Sequence, residues 1–211
     1  MSHGYKGISN DTQMRQRITK PYMIFPPAFS PAELTTIENH CKTVSPLSVG
    51  MAGDEKEFDE SAERKFRVSN LNFHGPNDPK LKFVFDKFNG IFDYVNSNYF
   101  NFDINGYDYF QYAEYDAKES GRYDWHMDLI TETMPSNVYD TRKLSMSMLL
   151  NTPGVDFEGG EFQIFRSAEE DVPLKKGDIL MFPSFMVHRV KPITRGIRKS
   201  LVIWASGPGF K

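Results

Sequence analysis

Two rhythms divide the chain. Before Asn105-Gly106, apolar residues recur at helical spacing; after it they alternate. Leu34, Ile37 and Cys41 fall on one helical face, behind a start signal of Ser30, Pro31 and Glu33 that reads as N-cap, first helical position and capping-box partner. A second helix is predicted over 78–98, with Leu81, Val84, Phe85, Phe88, Ile91, Phe92 and Val95 as its inner stripe. Gly90 weakens it and marks where a break would fall. The apolar run after Pro21 reads as a short lead-in strand. Past residue 106, strands are predicted at 107–115, 143–150, 161–165, 178–182, 185–190 and 198–206. The alternation is cleanest at Leu144, Met146, Met148 and Leu150, with Ser145 and Ser147 on the other face. Turn signals such as Pro153-Gly154, Gly159-Gly160, Gly177-Asp178 and Pro183-Ser184 separate the strands.

Helices first and punctuated strands afterwards indicate an α+β chain. Its C-terminal half reads as a β-sandwich or barrel of jelly-roll type, buttressed by the N-terminal helices. Residues 1–18 are polar and without period, hence a flexible N-terminal segment; residues 19–211 read as a single domain. The charged stretch 46–65 and the aperiodic stretch 129–143 read as loops, each a candidate lid or a plain surface excursion.

Composition narrows the options. With 211 residues, 39% hydrophobic and 14% aromatic, the chain is neither disordered nor collagenous nor a coiled coil. A net charge of −3 supplies no basic footprint for nucleic acid, and no apolar run is long enough to span a membrane. Cys41 is the sole cysteine, which excludes an internal disulfide and cysteine-based zinc or iron–sulfur sites. The start has no apolar signal region, so a reducing, cytoplasmic setting is expected. Any metal must be held by carboxylates and some of five histidines.

Chemistry concentrates at Tyr123-Asp124-Trp125-His126-Met127-Asp128. His126 and Asp128 stand at i and i+2, so on an extended chain they share a face about 6–7 Å apart. His188, sixty positions after Asp128, is the best third ligand. Two histidines and one carboxylate on one side of Fe(II) leave positions open for an organic chelator and O2. Ten residues after His188 comes Arg198, across a turn through Thr194-Arg195-Gly196. Its guanidinium suits a carboxylate by two parallel hydrogen bonds. Singly, each feature has a bland alternative: a structural histidine, a chance His-x-Asp, a surface basic residue beside Arg195 and Lys199. Their joint spacing outweighs those alternatives.

On these residues the chain resembles the iron(II)/2-oxoglutarate-dependent dioxygenases, in their prolyl-4-hydroxylase-like branch. The matching stretches are Phe-Gln-Tyr-Ala-Glu-Tyr, Tyr-Asp-Trp-His-Met-Asp, Phe-Glu-Gly-Gly-Glu-Phe, Lys-Lys-Gly-Asp-Ile-Leu-Met-Phe-Pro and His-Arg-Val-Lys-Pro-Ile-Thr-Arg-Gly-Ile-Arg-Lys-Ser. They fall within about 107–206; 24–41 matches more weakly.

The resemblance implies a double-stranded β-helix of cupin-like, jelly-roll type over that region. It implies that His126, Asp128 and His188 bind Fe(II), and that Arg198 grips the distal carboxylate of 2-oxoglutarate. Tyr115 would lie near this co-substrate and Trp204 would line the iron pocket. In some relatives a Tyr stands where this chain has Leu149. Asp128 favours hydroxylation over halogenation, since halogenating relatives have a small residue there. The implied activity is O2-dependent hydroxylation of an unactivated C–H, of a prolyl residue, an amino acid or another small-molecule or peptide substrate. Succinate and CO2 are released, with ascorbate as a reductant.

Tyr123 and Arg122 are expected at the mouth, as substrate contacts or ordinary surface residues. Trp125, Met127, Met146 and Met148 are apolar neighbours that either dry the pocket or belong to the general core. His3, His40 and His74 are expected to be structural or exposed, and the acidic patches 54–63 and 169–171 to be solvated faces. Two rival readings remain: a catalytically idle jelly-roll binding module, and a cupin-type enzyme with another metal.

Overall fold

A computed structural model gives the structure, which describes residues 21–44, 47–48, 66–107, 109–129, 131–133 and 139–210. The segment 1–18, His3, the acidic patch 54–63, most of the loop segment 46–65, and residues 130 and 134–138 of the segment 129–143 lie outside the described residues; the loop expected over 129–143 is instead strand at 131–133 and 139–143, which pair with each other.

Strand β1 (Met23–Phe25) leads into helix α1 (Pro31–Cys41). The capping box forms as expected: Glu33 N–H donates to Ser30 Oγ at 3.3 Å, and Ser30 N–H donates to Glu33 Oε2 at 2.7 Å. Three short strands follow: β2 (Leu47–Ser48), β3 (Arg67–Val68) and β4 (Asn70–His74). Helix α2 (Lys82–Val95) buries the predicted stripe and runs through Gly90 without a break. A wider turn, Asn96–Phe100, ends it, where the Asn96 side chain bonds both N–H and C=O of Phe102.

The rest is strand: β5 (Phe110–Asp116), β6 (Arg122–His126), β7 (Thr131–Thr133), β8 (Tyr139–Leu149), β9 (Phe157–Gly159), β10 (Phe162–Phe165), β11 (Glu169–Val172), β12 (Ile179–Pro183), β13 (His188–Val190) and β14 (Ile193–Pro208). The acidic patch 169–171 is thus an edge strand rather than a bare solvated face: it pairs with β10, and Glu169 and Glu170 bond Arg189 and Tyr22.

The major sheet runs β1-β12-β8-β14-β5-β4-β2, with β7 beside β8 and β9 beside β14; the minor sheet runs β11-β10-β13-β6-β3. Pairing between these strands is antiparallel. This is the double-stranded β-helix arrangement, and strict alternation assigns each side chain a layer. Phe110, Tyr112, Met146, Met148, Ile179, Met181, Leu201 and Ile203 face the helices and pack on Ile37, Val84 and Phe88. Ala113, Tyr115, Leu149, Leu180 and Phe182 face inward and pack on Phe157, Phe162, Ile164 and Val190. Met146 and Met148 therefore belong to the helix-backed core and not to a pocket wall.

Candidate metal centre

The inward layer of the two sheets brings His126, Asp128 and His188 together, with ligand atoms all within 4.8 Å of one another. His188 on β13 stands opposite His126 on β6 in register. Each imidazole Nε2 lies 3.6 Å from one Asp128 oxygen. Backbone carbonyls set the tautomers. His126 Nδ1 is 2.7 Å from Asp124 O, and His188 Nδ1 is 2.9 Å from Met186 O. A carbonyl can only accept, so both Nδ1 atoms carry the hydrogen and both Nε2 atoms present lone pairs.

Aromatic rings hold the imidazoles. Phe162 stacks on His188 with centroids 5.2 Å apart, and Phe182 meets it edge-on at 4.7 Å. Tyr123 stacks on His126 at 3.5 Å and 15°. That last contact depends on a bulge. In the ladder, Val190 faces Tyr123 while His188 faces His126, so β6 carries one residue more than its partner between them. The bulge turns Tyr123 onto the face of His126, and Trp125 N–H donates to Asp124 Oδ1 within it.

Asp128 is buried at 6% exposure. Burial alone would raise its pKa. The two imidazoles, the Ser145 hydroxyl and the Trp204 indole N–H outweigh burial and hold the carboxyl below its usual range. Ser145 Oγ donates to Asp128 Oδ2 at 2.7 Å and also lies 2.9 Å from Ser184 Oγ. Trp204 Nε1 is buried without a well-formed hydrogen bond, close enough to the carboxylate to favour its charge. Burial, with His188 beside it, pushes the His126 pKa down to about 3, so this ring stays neutral. Two lone pairs and one carboxylate thus converge, with no donor to either Nε2 among the described residues. That donor set fits a divalent metal, and two nitrogens plus one carboxylate suit Fe(II) with open positions.

Arg198 is 2% exposed, and no described carboxylate pairs with it. It faces Tyr115 in register, its guanidinium lies 5.7 Å from the Tyr115 ring centroid, and Nη1 donates to Ser200 Oγ at 3.1 Å. Gly160 makes room for it: at φ +66°, a Cβ there would stand 3.0 Å from Arg198 Cδ and 2.2 Å from Ile193 Cδ1. A buried, uncompensated guanidinium calls for an anion. Leu149, Tyr115, Phe162 and Phe182 share one apolar cluster, so the Arg198 end and the histidine end lie in the same layer.

The remaining candidates separate. Arg122 lies on the opposite face of β6 from Tyr123, as its pairing with Val68 shows. Trp125 packs against Phe165 and Arg189, away from the histidines, and Met127 is half exposed. Three contributors to the site were not singled out in the sequence: Ser145, Ser184 and Arg67. Arg67 is buried with its guanidinium carbon 4.4 Å from the Tyr123 centroid. Ser145 carried a signal, the polar face of β8, but serines on a strand usually meet water; Ser184, in the turn after β12, read only as a turn residue. Arg67 carried none.

Comparison with known proteins gives the same picture. The family model of the 2OG-Fe(II) oxygenase superfamily matches residues 110–206. A PKHD-type hydroxylase of Teredinibacter turnerae is 33% identical over 88 residues, covering 41% of this chain and 38% of that protein. The chain spans about two fifths of the length of the curated relatives it matches. A Pseudomonas putida prolyl-4-hydroxylase structure superimposes with TM-score 0.65 at 19% identity, over 90% of this chain and 95% of that one. A prolyl hydroxylase from Trichoplax adhaerens, in complex with a hypoxia-inducible factor peptide fragment, gives 0.69 at 18% identity, over 89% and 84%. Among the described residues no helix is long and apolar enough to cross a membrane.

Proposed function

We propose that the chain, whose residues 110–206 match the family model of the 2OG-Fe(II) oxygenase superfamily and whose fold is that of the prolyl-4-hydroxylase structures, is an Fe(II)- and 2-oxoglutarate-dependent hydroxylase. The observation that carries this reading is the convergence of His126, Asp128 and His188 in the layer where Arg198 lies buried without an acidic partner among the described residues.

His126, Asp128 and His188 would hold the iron, with the two carbonyl-bound Nδ1 atoms fixing the rings. Arg198 would bind the distal carboxylate of 2-oxoglutarate, beside Tyr115 and Ser200. Ser145 and Trp204 orient and charge Asp128. When bound, Fe(II) together with 2-oxoglutarate and O2 supplies the oxidising power that hydroxylates an unactivated C–H, with release of succinate and CO2. Phe162, Phe182 and Leu149 exclude water, and Tyr123 keeps the His126 ring in place. In this reading residues 19–211 work as one domain and ascorbate serves as reductant. The target is a prolyl residue, an amino acid or a comparable small or peptide substrate, with Tyr123 at the entrance and Arg122 on the opposite face of its strand, away from that contact. The peptide in the Trichoplax prolyl hydroxylase supports the peptide arm. The buried, free thiol of Cys41 is compatible with a reducing, cytoplasmic setting.

The test is anaerobic binding of Fe(II) and 2-oxoglutarate, followed by succinate release on admitting O2. The wild type should bind 2-oxoglutarate only with iron present. Equal binding by a His126→Ala/Asp128→Ala variant would sink the reading.

A further inference from the structure

The helix-facing side of the major sheet carries a second convergence of ligand atoms. His40 lies in the last turn of α1, His74 ends β4, and Asp78 sits in the turn that leads to α2. One ligand atom from each lies within 4.8 Å of the others. Strand alternation puts them there. Leu71 and Phe73 face between the sheets, so Asn72 and His74 face the helices. Asn72 Nδ2 donates to Cys41 O at 2.8 Å and to Val44 O at 3.3 Å, which pins the end of α1 beside His74.

His40 Nε2 and Asp78 Oδ2 are 2.5 Å apart, and Asp78 Oδ1 accepts from Lys80 N–H at 2.9 Å. A plain histidine–aspartate pair explains those two residues. It does not explain His74, which is 5% exposed and stacked on Phe110 with centroids 5.3 Å apart. Its Nε2 is buried with no hydrogen-bond partner among the described residues. Buried polar atoms are nearly always satisfied, and an orphaned imidazole nitrogen beside a second imidazole and a carboxylate points to a missing cation.

We propose that His40, His74 and Asp78 form a second metal site, for a divalent cation of the Zn(II) class, which clips the end of α1 to β4 and the turn before α2. Two imidazoles and one carboxylate are the donors such ions prefer, whereas Mg(II) and Ca(II) select oxygen. Bonds of about 2.0–2.2 Å place tetrahedral ligand atoms roughly 3.3 Å apart. Asp78, 28% exposed on its turn, has room to swing out from its present contact with His40, and the fourth position opens to water on that side. The clip lies on the opposite face of the major sheet from His126, Asp128 and His188, so the two sites load independently.

Co(II) is the probe. The full chain is stripped with chelator, and bound metal is measured by equilibrium dialysis and by visible absorption. The wild type should hold two equivalents and the His126→Ala/Asp128→Ala variant one. Adding His74→Ala, or separately His40→Gln, to that variant should remove the last equivalent. Co(II) should raise the Tm of the His126→Ala/Asp128→Ala protein and leave that of the two triply substituted proteins unchanged. His40 is partly exposed, so His40→Gln keeps the test open where His74→Ala disturbs folding. The proposal fails if the His126→Ala/Asp128→Ala protein binds no Co(II), or if its equivalent survives both further substitutions.

Discussion

At the scale of single residues, Asp128 depends on its neighbours. It is buried and ionised, which is costly unless donors compensate. Ser145 Oγ supplies the shortest of these bonds, at 2.7 Å. Ser145→Ala should weaken Fe(II) affinity about 10–100-fold, the usual cost of losing a group that orients a ligand. A Ser147→Ala control on the same face should leave it unchanged, both measured by anaerobic metal titration. Arg198→Lys should leave iron binding intact but raise the 2-oxoglutarate Kd by about 10–100-fold, since loss of a charged, forked hydrogen-bonding pair costs roughly 1.5–3 kcal/mol. The ligating residues were legible because His126, Asp128, His188 and Arg198 sit at fixed spacings in a strand-rich stretch. Tyr123 as a ring partner of His126 was not. Period-two reasoning puts residues three apart on opposite faces, and only the bulge in β6 reverses that.

At the scale of elements, the two helices were readable from their caps and stripes, and their stability can be tested separately. Glu33 closes the cap of α1, and its hydrogen bond from Lys87, then that from Ser30 N–H, lowers its pKa from 4.5 to about 2. A depressed carboxylate stabilises above its unfolded pKa and loses that contribution as pH falls through its folded one. Tm should therefore fall between about pH 4.5 and pH 2, and Glu33→Gln should flatten that part of the profile. In α2, a Cβ at the exposed Gly90 would meet nothing within 4 Å. Gly90→Ala should stabilise the protein by about 0.5–1 kcal/mol in urea unfolding, the ordinary helix-interior difference. Gly90 does not break α2 because Phe88, Ile91 and Phe92 are buried on either side of it, and that packing outweighs a local propensity deficit. The short strands were harder to read. β3 and β9 have two and three residues, too few for a period. β4 hides its pattern because both faces are covered, with Asn72 and His74 buried against α1 rather than exposed.

At the scale of the whole molecule, the major sheet separates two cores with different duties. The helix-backed layer holds Phe88 against Phe29 and Phe110, and none of these touches a residue of the triad. The inter-sheet layer holds Phe182 against Phe162 and His188. Truncating either phenylalanine opens a cavity and should cost about 3–5 kcal/mol in equilibrium unfolding. Their effects on iron should differ. In folded Phe88→Ala protein the sheet still presents Ser145, Trp204 and Arg198 inward, so Fe(II) and 2-oxoglutarate affinities should match the wild type. In Phe182→Ala protein the edge that braces the His188 ring is gone, and the ring gains freedom that metal binding must then remove. Fe(II) affinity should drop together with stability, read by anaerobic titration at a urea concentration where both variants remain folded. Equal loss of iron affinity in the two variants would mean that the sheet transmits strain from its helix-backed face to the metal centre, and the separation of the two layers would be wrong.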